Sequence, residues 1–269
     1  MPPERRARRR TWATVTALAG LLLAPLAAAA QGLEAPPQQL TWPEVAASPH
    51  MHFAAIRRPD GVALLAWGGI GAGDADRLAG ALDRAGPLLD VEFFSPGGLL
   101  DEGLHMGYLL RQRGLATHLA AGTICASACN FAFMGGVIRS IDPGARFEVH
   151  MFEAGNALAR AVAANAQNPP QSIGDYNSRY PDAPLDPTQV QATLNRRGIP
   201  LSQLLLEQAL GEDIKSIQQN AAQTAAKIGQ FLLRMQLSLD FLTGFAAIPN
   251  DAPRALTPAE LHRYNVVNG

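Results

Sequence analysis

Three short segments of this 269-residue sequence have the residue types and spacing that acyl transfer requires. The first is Ser127, a hydroxyl flanked by small residues in the segment Cys125–Cys129 (CASAC). The second is His150, which could accept a proton from a serine because the pKa of histidine lies near neutral pH. The third is the turn Ser95–Gly98 (SPGG), whose two glycines can orient backbone N–H groups toward developing negative charge.

Each segment also has an ordinary structural interpretation. A serine at a helix start is commonly an N-cap, and a Pro-Gly-Gly sequence is usually a plain turn. A histidine at the end of a strand often makes only structural hydrogen bonds. The other histidines are less well placed downstream of Ser127 than His150 is; they are His50, His52, His105, His118 and His262. The order of the three segments along the chain, more than any one of them, favours a catalytic site.

The elements between these segments alternate between strands and helices. Short apolar runs predict strands over 61–69, 89–94, 115–120, 137–141 and 146–151. Amphipathic or capped stretches predict helices over 74–84, 99–113 and 128–134. We interpret residues 122–127 as a turn. The alternation predicts an α/β fold with parallel strands.

The ends of this domain have a different composition. Residues 31–50 hold four prolines and predict a linker, so we place the folded domain at 51–269. Residues 154–187 hold five prolines and predict an irregular insert that could cover the site. Beyond it the pattern predicts helices over 188–197, 201–210 and 213–241. Thr257 and Glu260 have the spacing of a capping box at a further helix start.

The first thirty residues have the organisation of a secretory signal peptide. Five arginines precede an apolar run that ends in four alanines before Gln31. We expect cleavage near Ala30 and an exported, periplasmic protein; an uncleaved signal anchor is the alternative and would be its only membrane contact. Loss of residues 1–30 removes five arginines and Glu4, which takes the formal net charge from −1 to −5. A mildly acidic protein gives no reason to expect nucleic acid as a partner.

Cys125 and Cys129 are the only cysteines. Export would permit a disulfide between them, but a spacing of four is restrictive, and two small buried side chains are the alternative. We expect no metal site, because no further ligand lies nearby at a suitable spacing.

The order strand, SPGG, helix, strand, small-Ser-small, helix, strand, His resembles the Clp protease proteolytic subunit and its crotonase-fold relatives. The resemblance covers about residues 89–151 and continues more weakly over 239–267. It is strongest with poorly characterised exported relatives that carry a Cys-x-Ser-Ala-Cys segment. It implies a Clp-protease/crotonase-like α/β fold with stacked βαβ units and a C-terminal helical region. It further implies a Ser127–His150 pair, an oxyanion hole formed by the N–H groups of Gly98 and Ala128, and a homo-oligomer.

The resemblance leaves the third member of a triad open. In the family an Asp precedes a segment similar to Leu256–Glu260 (LTPAE), and the nearest match here is Asp251, about two residues out of register. The other candidates are Asp182, Asp186, Asp213 and Asp240.

The sequence therefore predicts an exported serine hydrolase, a peptidase acting on a peptide or protein substrate without a cofactor. A coenzyme A enzyme is disfavoured because export would separate it from that cofactor. One alternative is a Ser–Lys enzyme of the signal-peptide-peptidase type, although the only lysines, Lys215 and Lys227, lie far downstream. Another is an inactive crotonase-fold protein retained for binding or scaffolding.

Overall fold

A computed structural model describes residues 33–151 and 154–269; the predicted signal peptide, residues 1–30, lies outside the described residues. The first of these ranges holds most of the strands. Its elements are α1 (Trp42–Ala47), β1 (His52–Arg58), β2 (Gly61–Trp67), α2 (Asp74–Ala85), β3 (Asp90–Phe94), α3 (Leu100–Gln112), β4 (Ala116–Leu119), β5 (Ile124–Ala126), α4 (Ala128–Met134), β6 (Arg139–Ile141) and β7 (Arg146–Val149).

The second range is mainly helical. Its elements are α5 (Ala154–Gln167), α6 (Ile173–Arg179), α7 (Pro187–Arg197), α8 (Leu201–Arg234), α9 (Asp240–Ala246), β8 (Arg254–Ala255) and α10 (Pro258–Arg263). The predicted capping box is confirmed, because the Glu260 N–H donates to Thr257 Oγ1 at 3.3 Å and the Thr257 N–H donates to Glu260 Oε2 at 2.8 Å.

The main sheet has five strands in the order β1-β2-β3-β4-β6. Only β1 is antiparallel to its neighbour, and β2, β3, β4 and β6 pair in parallel. Helices connect these parallel strands, as the alternating pattern predicts. The α/β class with a largely parallel sheet is therefore confirmed.

A second, smaller sheet has the order β5-β7-β8, with β5 parallel and β8 antiparallel to β7. Our prediction that residues 122–127 form only a turn was wrong, because β5 occupies three of them. The predicted strands over 137–141 and 146–151 both exist, but β6 and β7 belong to different sheets. The chain thus crosses from the main sheet to the small one between Ile141 and Arg146.

Helices α3 and α4 pack at very short range. A Cβ atom added to Gly103 would collide with the Ala128 carbonyl, and one added to Gly107 would collide with the Phe131 carbonyl. All seven residues of α4 are buried. Glycines four residues apart on one helix face therefore let α3, which follows the SPGG turn, lie directly against α4, which follows Ser127.

The helical range differs from its prediction in two ways. Residues 154–187 are not an irregular insert, because they contain α5 and α6, with the prolines in the connections and at the first position of α7. The predicted helices over 201–210 and 213–241 are one 34-residue helix, α8, followed by a separate α9. Gly211 does not interrupt α8, since a single glycine lowers helix stability without ending a helix.

Residues 33–50 are not a loose linker. Val45 of α1 is fully buried in a small apolar cluster with Trp67, Phe94 and Ile124, and Glu34 pairs with Ala54 of β1. The folded part of the chain therefore begins before residue 51. Among the described helices, none combines the length and the apolar character needed to cross a bilayer.

Candidate functional site

Ser127 lies on a sharp turn between β5 and α4. Its φ of 56° and ψ of −123° lie outside the regions that L-residues normally occupy. Such strain costs about 1–3 kcal/mol and persists only where the surrounding structure enforces it. A serine on a strained strand-to-helix turn is the arrangement that projects a hydroxyl toward a substrate.

Hydrogen bonds from β7 hold this turn in place. The Glu148 carbonyl accepts the Ser127 N–H at 3.2 Å and the Asn130 Nδ2–H at 2.7 Å. The Asn130 N–H in turn donates to the Ser127 carbonyl at 3.0 Å. Asn130 therefore ties the helix that begins after Ser127 to the strand that leads to His150. Its Oδ1 is buried and has no partner in the described parts of the chain.

The SPGG turn lies directly beside the Ser127 turn. The Ser95 N–H donates to the Ile124 carbonyl at 2.8 Å, and the Ala126 N–H donates to the Ser95 carbonyl at 3.0 Å. Ser95 itself is fully buried, and its Oγ accepts the Gly97 N–H at 3.1 Å. Two segments that lie some thirty residues apart in the sequence are thus joined by backbone pairing.

Both glycines of the SPGG turn have positive φ, 88° at Gly97 and 148° at Gly98. A Cβ at Gly97 would lie 2.5 Å from the Ala126 carbonyl oxygen and 2.7 Å from Ser127 Cβ. Across 33–151 and 154–269, neither the Gly98 N–H nor the Ala128 N–H has an acceptor. Two free N–H groups that flank a serine can bind a negatively charged oxygen.

His150 follows β7, and its Nδ1–H donates to the carbonyl of Met151 at 2.7 Å. Because a carbonyl can only accept, Nδ1 carries the proton and Nε2 of the neutral ring is free to accept one. No hydrogen bond joins His150 to Ser127 or to a carboxylate within the described residues. Catalytic hydrogen bonds are often unformed without substrate, so this geometry is compatible with a role as a base.

The four residues Gly98, Ser127, Ala128 and His150 line one pocket of about 240 Å³. The rest of its wall is mostly apolar, with Leu100, Phe131, Val149, Ile228, Phe241 and Phe245. The structure thus brings together four of the five predicted catalytic and oxyanion-hole residues. Our sequence analysis missed Asn130 and the aromatic wall from α9, because nothing local marks residues 241 and 245 as neighbours of Ser127.

Asp251 is the predicted residue that does not join the pocket. It is exposed in the turn before β8, although its neighbours Ile248 and Arg254 pair with Met151 and Val149. No hydrogen bond within the described residues connects it to His150. The other candidate acids do not replace it: Asp186 caps α7, Asp213 accepts from Asn165, Asp240 faces Arg263, and Asp182 is exposed.

Cys125 and Cys129 form a disulfide across the Ser127 turn, with their Cα atoms 5.4 Å apart. Of the two interpretations of this pair, the structure contains the bridge. Both residues are fully buried.

The two lysines lie outside the pocket. Lys227 Nζ is 3.0 Å from Asp101 Oδ1, and Lys215 pairs with Glu212, one turn earlier on α8. Neither side chain can serve as the base for Ser127 in this arrangement.

A second polar cluster lies on the main sheet, where Asp90, Glu92 and His118 approach one another. Arg58 occupies the space between the two carboxylates, since its Nη1 is 2.9 Å from Asp90 Oδ2 and its Nη2 contacts Glu92. The guanidinium supplies the positive charge that a cation would bring, so this cluster is a partly buried ion network.

Among known proteins, the chain matches neither a protein-family model nor a curated relative.

Proposed function

We propose that this protein is an exported serine hydrolase, a peptidase in which Ser127 is the nucleophile and His150 the general base. One observation carries the proposal. Among the described residues, Ser127 is the only non-glycine residue of the pocket wall with a positive φ. The same wall holds His150, whose Nε2 is free, and the N–H groups of Gly98 and Ala128, which have no acceptor within the described residues.

The reaction follows from these positions. Ser127 Oγ attacks the carbonyl carbon of the scissile bond while His150 Nε2 takes the hydroxyl proton. The resulting oxyanion is stabilised by the N–H groups of Gly98 and Ala128. His150 returns the proton to the leaving amine or alcohol, which leaves an acyl-enzyme. A water molecule, deprotonated by His150, then attacks the ester, releases a carboxylate and restores Ser127.

The orientation of His150 differs from that of a full triad. The Met151 carbonyl, 2.7 Å from Nδ1, selects the tautomer that a base requires. A neutral carbonyl stabilises the imidazolium less than a carboxylate does, so we expect slower turnover than in a Ser-His-Asp enzyme.

The pocket wall favours an apolar group on the acyl side of the scissile bond. Phe131, Phe241 and Phe245 line the pocket that Ser127 opens into, and the small part of their surface that is exposed there is apolar. We therefore propose peptide or small-protein substrates that present an apolar side chain at the cleavage position.

The parallel sheet, the pairing of the SPGG turn with β5 and the long helix α8 support a Clp-protease/crotonase-like fold. Membership of the exported relatives of the Clp protease, a periplasmic location and homo-oligomer formation belong to the same proposal. A binding or scaffold role remains the second candidate, favoured by the position of Asp251 outside the pocket.

Mass spectrometry after incubation with a fluorophosphonate tests the proposal. We expect one adduct on Ser127 that is lost in Ser127→Ala and slowed about a hundredfold or more in His150→Ala. Ser202→Ala and His105→Ala, which change exposed residues elsewhere, are matched controls and should label normally. The absence of an adduct on the folded protein would favour the binding or scaffold role.

A further inference from the structure

The disulfide joins the residues two positions before and two positions after the strained Ser127. Cys125 belongs to β5 and Cys129 to α4, and Ser127 is the middle residue of the five that the bridge closes. The bridge thus links the last strand residues before the turn to the first helical residues after it.

The turn needs such a link more than an ordinary turn does. A residue at φ 56° and ψ −123° relaxes unless its surroundings prevent it. The hydrogen bonds near the turn are the one from the Ser127 N–H to Glu148, at a long 3.2 Å, those of Asn130, and the one from the Ala126 N–H to the Ser95 carbonyl. The bonds to Glu148 and Ser95 fix the turn relative to β7 and to the SPGG turn, whereas the disulfide joins the strand before Ser127 covalently to the helix after it.

We propose that Cys125 and Cys129 are positioning residues for Ser127, and that oxidation of their thiols to the disulfide brings the site to its full reactivity. This inference rests on the proposed hydrolase function. The chemistry is a dithiol–disulfide exchange with a disulfide-bonded thiol oxidant. The two thiols of the chain lose two protons and two electrons and form the S–S bond, and the disulfide of the oxidant takes them up and is released as two thiol groups.

Burial determines when this oxidation can occur. Cys125 and Cys129 are both fully buried, so neither an oxidant nor a reductant reaches them in the folded protein. The bond must therefore form before α4 closes over the turn, and it resists reduction afterwards. A chain that folds in a reducing compartment would carry the same pocket with a relaxed Ser127, whereas a chain that folds in an oxidising compartment would be reactive.

The experiment compares oxidised and reduced forms of the mature chain. The protein is unfolded with reductant and refolded either with dithiothreitol or with oxidised glutathione, and folding is followed by circular dichroism. Labelling of Ser127 by a peptidyl phosphonate with a phenylalanine-like side chain then gives KI and kinact separately. We expect kinact of the reduced form to be about tenfold to a hundredfold lower. We expect KI to stay within about threefold, because the apolar wall that binds the probe is intact.

Two further variants separate positioning from stability. Cys125→Ala/Cys129→Ala should reproduce the low kinact of the reduced protein, and air or glutathione should not restore it. Leu205→Ala removes a buried side chain from the separate cluster of Tyr176, Leu205 and Ala209. It should lower Tm without lowering kinact, so a general loss of stability cannot imitate the expected result.

The outcomes distinguish the inference from the function on which it rests. Recovery of kinact when the reduced protein is unfolded and refolded with oxidised glutathione supports the inference. Equal kinact in oxidised and reduced forms overturns it and leaves the hydrolase proposal intact. Failure of both the reduced protein and the double variant to fold also overturns it, because the bridge would then be a folding requirement. No labelling of the folded, oxidised protein contradicts the hydrolase proposal itself.

Discussion

Helices α4 and α7 show how differently two regions of this molecule are built. All seven residues of α4 are buried, whereas Val190 is the one buried residue among the eleven of α7. α4 belongs to what we call the site region: the SPGG turn, β5, α4 and β7. α7 belongs to the outer helical region, residues 158–213, whose own cluster centres on Tyr176, Leu205 and Ala209.

The two regions also differ in what fixes their backbones. In the site region, strand pairing, a disulfide and close glycine contacts converge on Ser127. In the outer helical region, helices are joined by the small cluster of Tyr176, Leu205 and Ala209 and by side-chain hydrogen bonds such as that of Asn165 with Asp213. A strained residue can persist only in the first setting. Substitutions should therefore affect the labelling of Ser127 strongly in the site region and hardly at all in the outer one.

The largest effect is expected from Gly97→Ala. The new methyl group would lie 2.5 Å from the Ala126 carbonyl oxygen and 2.8 Å from the Ala128 nitrogen, so the turn and β5 must separate. We expect the rate of Ser127 labelling to fall about a hundredfold, which is the loss expected when the reacting atoms are displaced by about 1 Å. Gly144→Ala is a close control, since Gly144 has a similar φ of 91° and open space around it. If Gly97→Ala and Gly144→Ala lower the labelling rate equally, then the cause is the strain of an alanine at positive φ and not the contact with Ala126 and Ala128.

A smaller effect is expected from Asn130→Leu, which keeps the size of the side chain. It removes the bond from Nδ2 to the Glu148 carbonyl and with it the link between α4 and the strand that leads to His150. It also removes the unpartnered Oδ1, which offsets part of the lost stability. We expect labelling to fall about tenfold while the free energy of unfolding changes by less than about 1 kcal/mol. Asn195→Leu on exposed α7 is the control, and a rate that follows Tm in both variants would contradict a positioning role.

Elements that depend on interactions between residues close in sequence could be predicted, whereas elements that depend on pairing with distant residues could not. β2, β3, α2 and α3 have strong local periodicity, and their predicted positions agree with the structure to within a few residues. β5 was missed because three residues carry no pattern, and it forms only through pairing with β7 and Ser95. The prolines of 154–187 suggested an irregular insert, but the alanine-rich stretch that precedes the first of them forms the helix α5.

In the candidate site, too, the features set by residue type were predicted, and those set by the tertiary structure were not. The types and order of the SPGG, Ser127 and His150 segments predicted four residues that share a pocket. The partner of His150 Nδ1 was beyond prediction, because a carbonyl acceptor depends on the backbone angle after β7 and leaves no trace in residue type. Asp251 was suggested only by the family resemblance, as the nearest match to an Asp that precedes a segment like Leu256–Glu260, and the structure leaves it exposed on the turn.

Asp251→Asn should therefore have little effect. Since Met151 supplies the acceptor for His150, loss of the charge on an exposed turn should change labelling less than about threefold, whereas loss of a true triad acid costs about four orders of magnitude. The labelling rate of His150→Ala, measured under the same conditions, gives the size of the effect expected when a catalytic residue is lost. A fall of a hundredfold or more in Asp251→Asn would mean that this turn closes onto His150 during the reaction.

In the outer helical region, Leu205→Ala should separate stability from reactivity. Leu205 is fully buried, so its truncation should cost about 2–5 kcal/mol of local or global stability. The labelling rate of Ser127 measured well below Tm should be unchanged, because the two apolar clusters are distinct. A lower rate in this variant would show that the regions are coupled through α8.

The smallest difference concerns two ion pairs: one beside β8, the strand that pairs with β7 of the site region, and one in the outer helical region. Glu260, next to β8, accepts hydrogen bonds from Arg254 and from the Thr257 backbone, which lower its pKa from 4.5 to about 2. Its stabilising contribution is therefore complete above pH 4.5 and disappears as the pH falls toward 2. Thermal unfolding should show Glu260→Gln below the wild type at pH 7 and close to it near pH 2. Glu207, in the outer region, has its pKa lowered mainly by Arg197, but its side chain is 38% exposed against 23% for Glu260, so Glu207→Gln should shift Tm less at every pH. If Glu260→Gln and Glu207→Gln shift Tm equally, then the pairing of β8 with β7 does not make the Glu260–Arg254 ion pair more stabilising than the Glu207–Arg197 pair.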